Sequence, residues 1–340
     1  MRNRSISGIA IKAITAALPT TTLDTDFFSS LYGEKEVARI VRGTGIRSIR
    51  VAQQISTSQL IVAAVNHLAH NTQLDLGQVD GLIVVTQTPD DWSPGVAYAV
   101  HEALDLAKDA FVCDINAGCA GYVCGLIQAA SLIASGACDK VLLCTGDRNT
   151  RLTANEDYQV RMLFGDAASA TLICKGEDKL DFVTGADGTG RKLLGVDLSY
   201  DKTSASAATV ACLKMDGAAV MGFVMSRVPD ALMCLLNSLH LKASDIDLFA
   251  MHQPNEFVLN YLRRNIGVDA SAMPIDVDGV GNTNSTSIPL VLCRTETGTG
   301  LGKANTILCG FGVGLAWNAL HLDLSKTRFI QPIDVEDKTF

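Results

Sequence analysis

Residues 82–87 read LIVVTQ and residues 248–253 read LFAMHQ; residues 136–143 read GACDKVLL and residues 302–309 read GKANTILC. Both pairs stand 166 positions apart, residue 82 facing 248 and residue 136 facing 302, with no gap between them. Two strand-like runs held at one spacing indicate a chain built from two copies of one unit, here taken as halves 1–175 and 176–340. The same displacement lays the segment after Cys119 on the segment starting at Ser285. Both segments are expected to open central helices that meet back to back, so that a site between them draws on both halves.

Each half carries continuous apolar runs, at 81–89, 110–115, 140–146, 167–174, 247–254 and 305–314. Uninterrupted runs of this kind fit strands covered by helices on both faces. Between them, 56–71 and 225–240 place apolar residues at steps of three and four, the spacing of amphipathic helices. The fold class is therefore α/β with buried sheets. With 48% hydrophobic residues in 340, the chain has enough apolar surface for one large core or two fused ones.

Charge and cysteine spacing exclude several function classes. A net charge of −8, with basic residues no more concentrated than adjacent pairs such as Arg263–Arg264, does not make the concentrated basic face that nucleic acid requires. No window approaches about eighteen uninterrupted apolar residues, which predicts no membrane span. The ten cysteines form no C-x-x-C pair and the histidines are scattered, so no metal site is expected. The N-terminus MRNRSISGIAIKAI has neither a long apolar stretch nor a cleavage site, and the thiols are expected to stay reduced in a cytoplasm.

Three cysteines fall in 113–124, CDINAGCAGYVC. Residues 110–118 read as a strand with a small-residue turn, and 120–136 as a helix apolar on nearly every side, hence central and buried. Cys119 sits at this turn, between Gly118 and Ala120. There the unpaired N–H groups and the positive end of the helix dipole favour an anion and are expected to lower the thiol's pKa. Cys113, Cys124, Cys138 and Cys144 read as ordinary small buried apolar residues, Cys124 facing the packed helix interior. Cys119 reads as a nucleophile. Its partners are sought in the second half: His252, where an apolar strand runs into Q-P-N, and Asn282, in the glycine-bounded loop DGVGNTNSTS.

These motifs together resemble the thiolase superfamily, and within it the 3-oxoacyl-acyl-carrier-protein synthase III family. The resemblance rests on 116–121 NAGCAG, 252–255 HQPN, 281–283 GNT and 310–317 GFGVGLAW, with 44–47 TGIR, 164–169 FGDAAS and 215–217 MDG in register between about residues 5 and 323. It implies a thiolase-like duplicated five-layered αβαβα sandwich and a homodimer. It further implies an acyltransferase: Cys119 takes an acyl group from a thioester, and His252 and Asn282 then support decarboxylative condensation with a malonyl thioester. The backbone N–H groups of Cys119 and Val313 would form the oxyanion hole. Substrate contacts are implied for Phe164, Asn255 and Gly312, and residues 88–94, near a dimer interface, are implied to close the partner's acyl tunnel, with Trp92 or Ser93 as the bulky or permissive element. No bound cofactor is implied; the substrates are acyl-coenzyme A or acyl carrier protein thioesters.

The chain also departs from that pattern. Arg39 and Gly43 stand where the family places the tryptophan and arginine that sandwich the adenine of coenzyme A, and Phe257 stands where a basic residue meets the acidic carrier protein. An arginine still stacks on a purine, and Arg263 and Arg264 are the candidate replacements for carrier docking. Val313 replaces a usual glycine and narrows the neighbouring pocket. These changes open a second reading, a specialised relative from secondary metabolism that handles an unusual acyl group or a non-malonyl acceptor. A third is a non-catalytic scaffold subunit, against which the intact Cys, His and Asn argue. Cys309 precedes the glycine loop, which disfavours a thiolase, and no placed glutamate supports a hydroxymethylglutaryl-coenzyme A synthase. Residues 201–214 read as a surface loop, and 324–340 as a tail packed on the surface or on a partner subunit.

Overall fold

The computed structural model describes residues 1–196, 212–295 and 303–338. Strands Gly81–Val85 and Lys140–Arg148 pair in parallel, and the latter pairs antiparallel with the first part of the long strand Asp166–Ala186. Phe111–Ile115 closes one edge beside Gly81–Val85, and Arg4–Pro19 lies on the other side, antiparallel to Asp166–Ala186. In the second half, Leu248–Met251 pairs in parallel with Thr306–Gly312, which pairs antiparallel with Ala316–Leu322, which pairs antiparallel with the second part of Asp166–Ala186. Strand order and sense thus repeat between the halves, apart from edge strand Phe111–Ile115, which has no counterpart beside Leu248–Met251 among the described residues.

Period-two alternation within these runs sorts the side chains into layers. Leu82, Val84, Leu142 and Cys144 face an outer core with helices Thr57–Thr72 and Val96–Ala103, while Ile83, Val85, Val141 and Leu143 face inward. On the second sheet Leu248, Ala250 and Leu308 face inward, and Phe249, Met251, Ile307 and Phe311 face the outer helices Gly217–Leu239 and Glu256–Ile266. The inward faces of both sheets meet on two central helices, Gly121–Ala134 and Ser287–Thr295. This gives five layers, helix, sheet, helix, sheet, helix. Fully burying a Leu or Ile contributes about 1.5–3 kcal/mol, so three such cores supply the main driving force.

The two central helices start at residues 121 and 287, again 166 apart. The copies are not independent units, however. Asp166–Ala186 runs through both sheets and so does Arg4–Pro19, whose Arg4–Ser7 pairs with Lys179–Phe182 while Ala10–Ala17 pairs with Ala168–Cys174. The boundary taken at 175 falls inside this shared strand. The tail packs on its own chain, with Arg328–Phe329 and Ile333–Val335 each parallel to Arg4–Pro19. Of the stretch read as a surface loop, residues 201–211 lie outside the described residues, and Leu213–Met215 is instead a strand paired with Leu194–Val196. Gly217–Leu239, interrupted by Arg227 and Asp230, is nonetheless long and apolar enough by length and composition to cross a bilayer. Its Val224, Val228, Leu232 and Leu235 are buried in the outer core of the second sheet.

Candidate active site

Strand Phe111–Ile115 ends at the turn that carries Cys119, and helix Gly121–Ala134 begins two residues later. A Cβ on Gly118 would stand 2.4 Å from Gln87 Oε1, so a larger residue there would displace the Gln87 side chain. The sulfur is closed in from the second half: a Cβ on Gly312 would lie 2.9 Å from Cys119 Sγ, so only glycine permits this approach of the 310–314 strand end. Cys119 is 4% exposed. Burial pushes its thiol up to about 12, with buried Asp147 adding to the rise and the N–H groups of Val313 and Cys119 itself opposing it. The expected lowering by the helix terminus is therefore overturned, because removing a thiolate from water outweighs two backbone donors. At neutral pH the sulfur is therefore held as the thiol and needs a base. Cys124, expected in the packed interior, is half-buried.

His252 follows the end of strand Leu248–Met251, held by its own N–H to Cys309 O at 2.8 Å. Its ring is 1% exposed, edge-on to Phe311 at 5.4 Å, and burial pushes its pKa down to about 3, so it is neutral at physiological pH. Nδ1 lies 2.7 Å from Ser287 Oγ, which leaves Nε2 as the ring nitrogen able to act on a substrate. Ser287 Oγ also lies 2.9 Å from Asn284 O and has one proton to give. Given to Asn284 O, it leaves Nδ1 protonated and Nε2 a lone pair that accepts a thiol proton. Given to Nδ1, it leaves Nε2–H as a donor.

Asn282 is fixed through its backbone, donating to Leu163 O at 2.8 Å and accepting from Gly165 N–H at 3.0 Å. The preceding Gly281 has φ +76°, and a Cβ there would meet Gly165 N at 3.0 Å. Asn282 Oδ1 accepts from Asn284 N–H at 2.9 Å, so the amide presents its Nδ2 donors away from that bond. Cys119, His252 and Asn282 line one cavity of about 120 Å³, together with Phe164, Asn255 and Gly312. Asn255 also caps helix Glu256–Ile266, accepting from Val258 N–H at 2.9 Å. A second cavity of about 510 Å³ begins at Val313 and takes in Trp92.

The remaining candidates stand outside these cavities. Ser93 is exposed and does not line the wall that Trp92 shares. Arg39 is exposed on helix Glu34–Thr44, paired with Glu36 at 2.8 Å and 3.4 Å from Tyr158 OH. Phe257 and Arg264 line a surface hollow of about 250 Å³ with Arg42. Arg263 is turned inward, donating to Met273 O at 2.9 Å and to Asn260 Oδ1 at 3.4 Å, which removes it from the docking set. Sequence reasoning missed Ser287, Arg42 and Asp147. Asp147 is fully buried with its pKa raised to about 6, and accepts from Gln87 N–H at 2.8 Å and Ser285 Oγ at 2.7 Å. Ser285 is the repeat partner of Cys119, so the second copy of that position serves the packing between the central helices.

The comparisons with known proteins agree. A family model described as 3-oxoacyl-[acyl-carrier-protein (ACP)] synthase III matches residues 113–188, and the model of its C-terminal part matches residues 236–324. The chain is 32% identical over 288 residues to a β-ketoacyl-[acyl-carrier-protein] synthase III of Oceanobacillus iheyensis, covering 83% of this chain and 88% of that protein. It is 29% identical over 323 residues to the protein of that name from Staphylococcus epidermidis, covering 94% and 99%. A solved 3-oxoacyl-(acyl-carrier protein) synthase from Burkholderia xenovorans overlays with a TM-score of 0.91 at 29% identity, over 98% of this chain and 99% of that one. A priming β-ketosynthase of a polyketide biosynthetic pathway overlays with a TM-score of 0.85 at 26% identity, over 96% and 99%.

Proposed function

We propose that this chain, which belongs to the 3-oxoacyl-[acyl-carrier-protein] synthase III family, is a β-ketoacyl synthase III condensing enzyme that uses Cys119, His252 and Asn282. The observation that carries the reading is the meeting of these three side chains on one cavity, with the Val313 N–H directed at the sulfur. In the first half-reaction Cys119 Sγ attacks the carbonyl of an acyl thioester. Its proton passes to His252 Nε2 and on to the departing thiol. The N–H groups of Cys119 and Val313 hold the oxygen as it becomes negative. In the second, a malonyl thioester enters, and His252 Nε2–H and Asn282 Nδ2–H hold its thioester carbonyl. Carbon dioxide leaves, the enolate carbon attacks the acyl carbonyl on sulfur, and the carbon–sulfur bond to Cys119 breaks. No resident cofactor takes part in this scheme.

Incubation with acyl and malonyl thioesters of acyl carrier protein, following carbon dioxide release and the mass of the carrier-bound product, tests the reading. A 3-oxoacyl product is expected. Neither carbon dioxide nor product from any donor would sink it. The opposite demands that the two half-reactions place on Nε2 give Ser287 a positioning role. Ser287→Ala is expected to lower kcat by about 5- to 150-fold, the equivalent of 1–3 kcal/mol for one buried hydrogen bond, with KM little changed and partial rescue in Ser287→Thr. A loss confined to KM, or none, would contradict it.

For partners, the Arg42, Phe257 and Arg264 hollow suits an acidic carrier protein. The uncovered edge strand Phe111–Ile115, with Phe111 44% exposed, and Trp92, 78% exposed, suit a homodimer. Ten free cysteines suit the cytoplasm. The second reading, a specialised relative acting on an unusual acyl group, is favoured by Arg39, which is engaged by Glu36 and touches Tyr158 where an aromatic clamp was sought.

A further inference from the structure

Resting on the function just proposed, the cavity lined by Cys119 and the larger one that adjoins Val313 divide the substrate between them. The smaller holds His252 and Asn282, the groups that grip a thioester carbonyl, so the pantetheine arm of each donor occupies it. The acyl group left on sulfur then has the larger cavity, reached past Val313, whose N–H touches that sulfur. At about 510 Å³ it has room for a group well beyond acetyl.

Its wall has two characters. Leu152, Val196 and Leu213 suit an aliphatic stem, whereas Gln87, Asn116 and Asn149 do not. Gln87 Nε2 donates to Asn116 Oδ1 at 3.3 Å, which leaves Gln87 Oε1 and Asn116 Nδ2 for a guest. Arg151, exposed and shared with a neighbouring surface hollow of about 390 Å³, completes this wall, and among the described residues no Asp or Glu lines it. The neighbouring arginines are engaged: Arg148 donates to Ala52 O at 2.8 Å and Gln53 O at 3.1 Å, and Arg161 donates to Tyr32 OH at 2.9 Å. Arg151 has no hydrogen bond or ion pair among the described residues. In a chain of net charge −8, a guanidinium with no carboxylate partner among the described residues, set in the wall of a cavity that adjoins Val313, calls for an anion.

We infer that the acyl group accepted by Cys119 carries a carboxylate at its far end, as in the half-thioester of a short dicarboxylic acid. Loading is an ordinary exchange: the bond from Cys119 Sγ to the acyl carbon forms, the donor's carbon–sulfur bond breaks, the donor thiol leaves with the cysteine proton, and the distant carboxylate is unchanged.

Intact-protein mass spectrometry gives the loading rate directly. Wild type, Arg151→Gln and Arg151→Lys would each be given succinyl, glutaryl and adipyl thioesters beside neutral acyl thioesters of matching length, on coenzyme A and on acyl carrier protein. Wild type is expected to load at least one dicarboxylic half-thioester tenfold faster than its neutral counterpart, a ratio that collapses in Arg151→Gln and is partly kept in Arg151→Lys. Faster loading of the neutral groups by wild type, or a preference that survives in Arg151→Gln, would overturn the inference and leave the condensing function standing. No adduct from any donor would remove that function, and this inference with it.

Discussion

Cys119→Ala is expected to take up no acyl group from any thioester, and its condensation rate is expected to fall by about 10⁴-fold or more, the scale of losing a covalent nucleophile. The variant should fold, because the side chain it shortens lines a cavity of about 120 Å³ rather than a filled core. It should also still release carbon dioxide slowly from a malonyl thioester, since His252 and Asn282, which bear the enolate, keep their partners Ser287 and the Asn284 N–H. Mass spectrometry for the adduct and carbon dioxide release for the second half-reaction separate the two. An adduct on Cys119→Ala would reassign the nucleophile. Loss of carbon dioxide release in this variant would show that the half-reactions are not divided as described.

Asn282→Asp gives the complementary result. The substitution keeps an oxygen to accept from Asn284 N–H, so the loop is preserved, but it replaces the Nδ2 donors with an acceptor facing the enolate. Decarboxylation and condensation are expected to fall by about 10²–10³-fold, or 2.7–4 kcal/mol, while acyl loading on Cys119 changes only a few-fold. Loading rates and carbon dioxide release measured on the same preparation check this. Equal damage to both half-reactions would place Asn282 in the structure of the site rather than in its chemistry.

What was legible in the sequence was local or periodic. The strand, small-residue turn and apolar helix around Cys119 place it at the end of a buried helix from its own neighbours alone. The strand that breaks at His252-Gln-Pro and the glycine before Asn282 did the same for the second half. The common offset was legible because equivalent strands and central helices kept their spacing; it fails after residue 312, where a four-residue step to Ala316–Leu322 replaces the longer excursion between Lys140–Arg148 and Asp166–Ala186. What was not legible depends on contacts between distant residues. The thiol pKa is set by enclosure from Gly312, Val313 and Asp147, which no reading of 113–124 contains. Arg263 and Arg264 are adjacent and chemically alike, and only the position of Met273 O decides that the first is turned inward. Ser287 looked like one hydroxyl in a run of small polar residues until the fold set it 2.7 Å from His252.

The strand Asp166–Ala186, with Arg4–Pro19 beside it, belongs to both sheets at once. Its consequence is historical. Two copies of a gene that meet only at an interface are free to diverge, to be recombined, or to be expressed as separate subunits. Here the copies share backbone, so a one-residue insertion in that strand would invert the facing of side chains in the neighbouring half as well as in its own. The ancestral duplication is thereby locked: selection sees one object, and the nucleophile and its two helpers are inherited together.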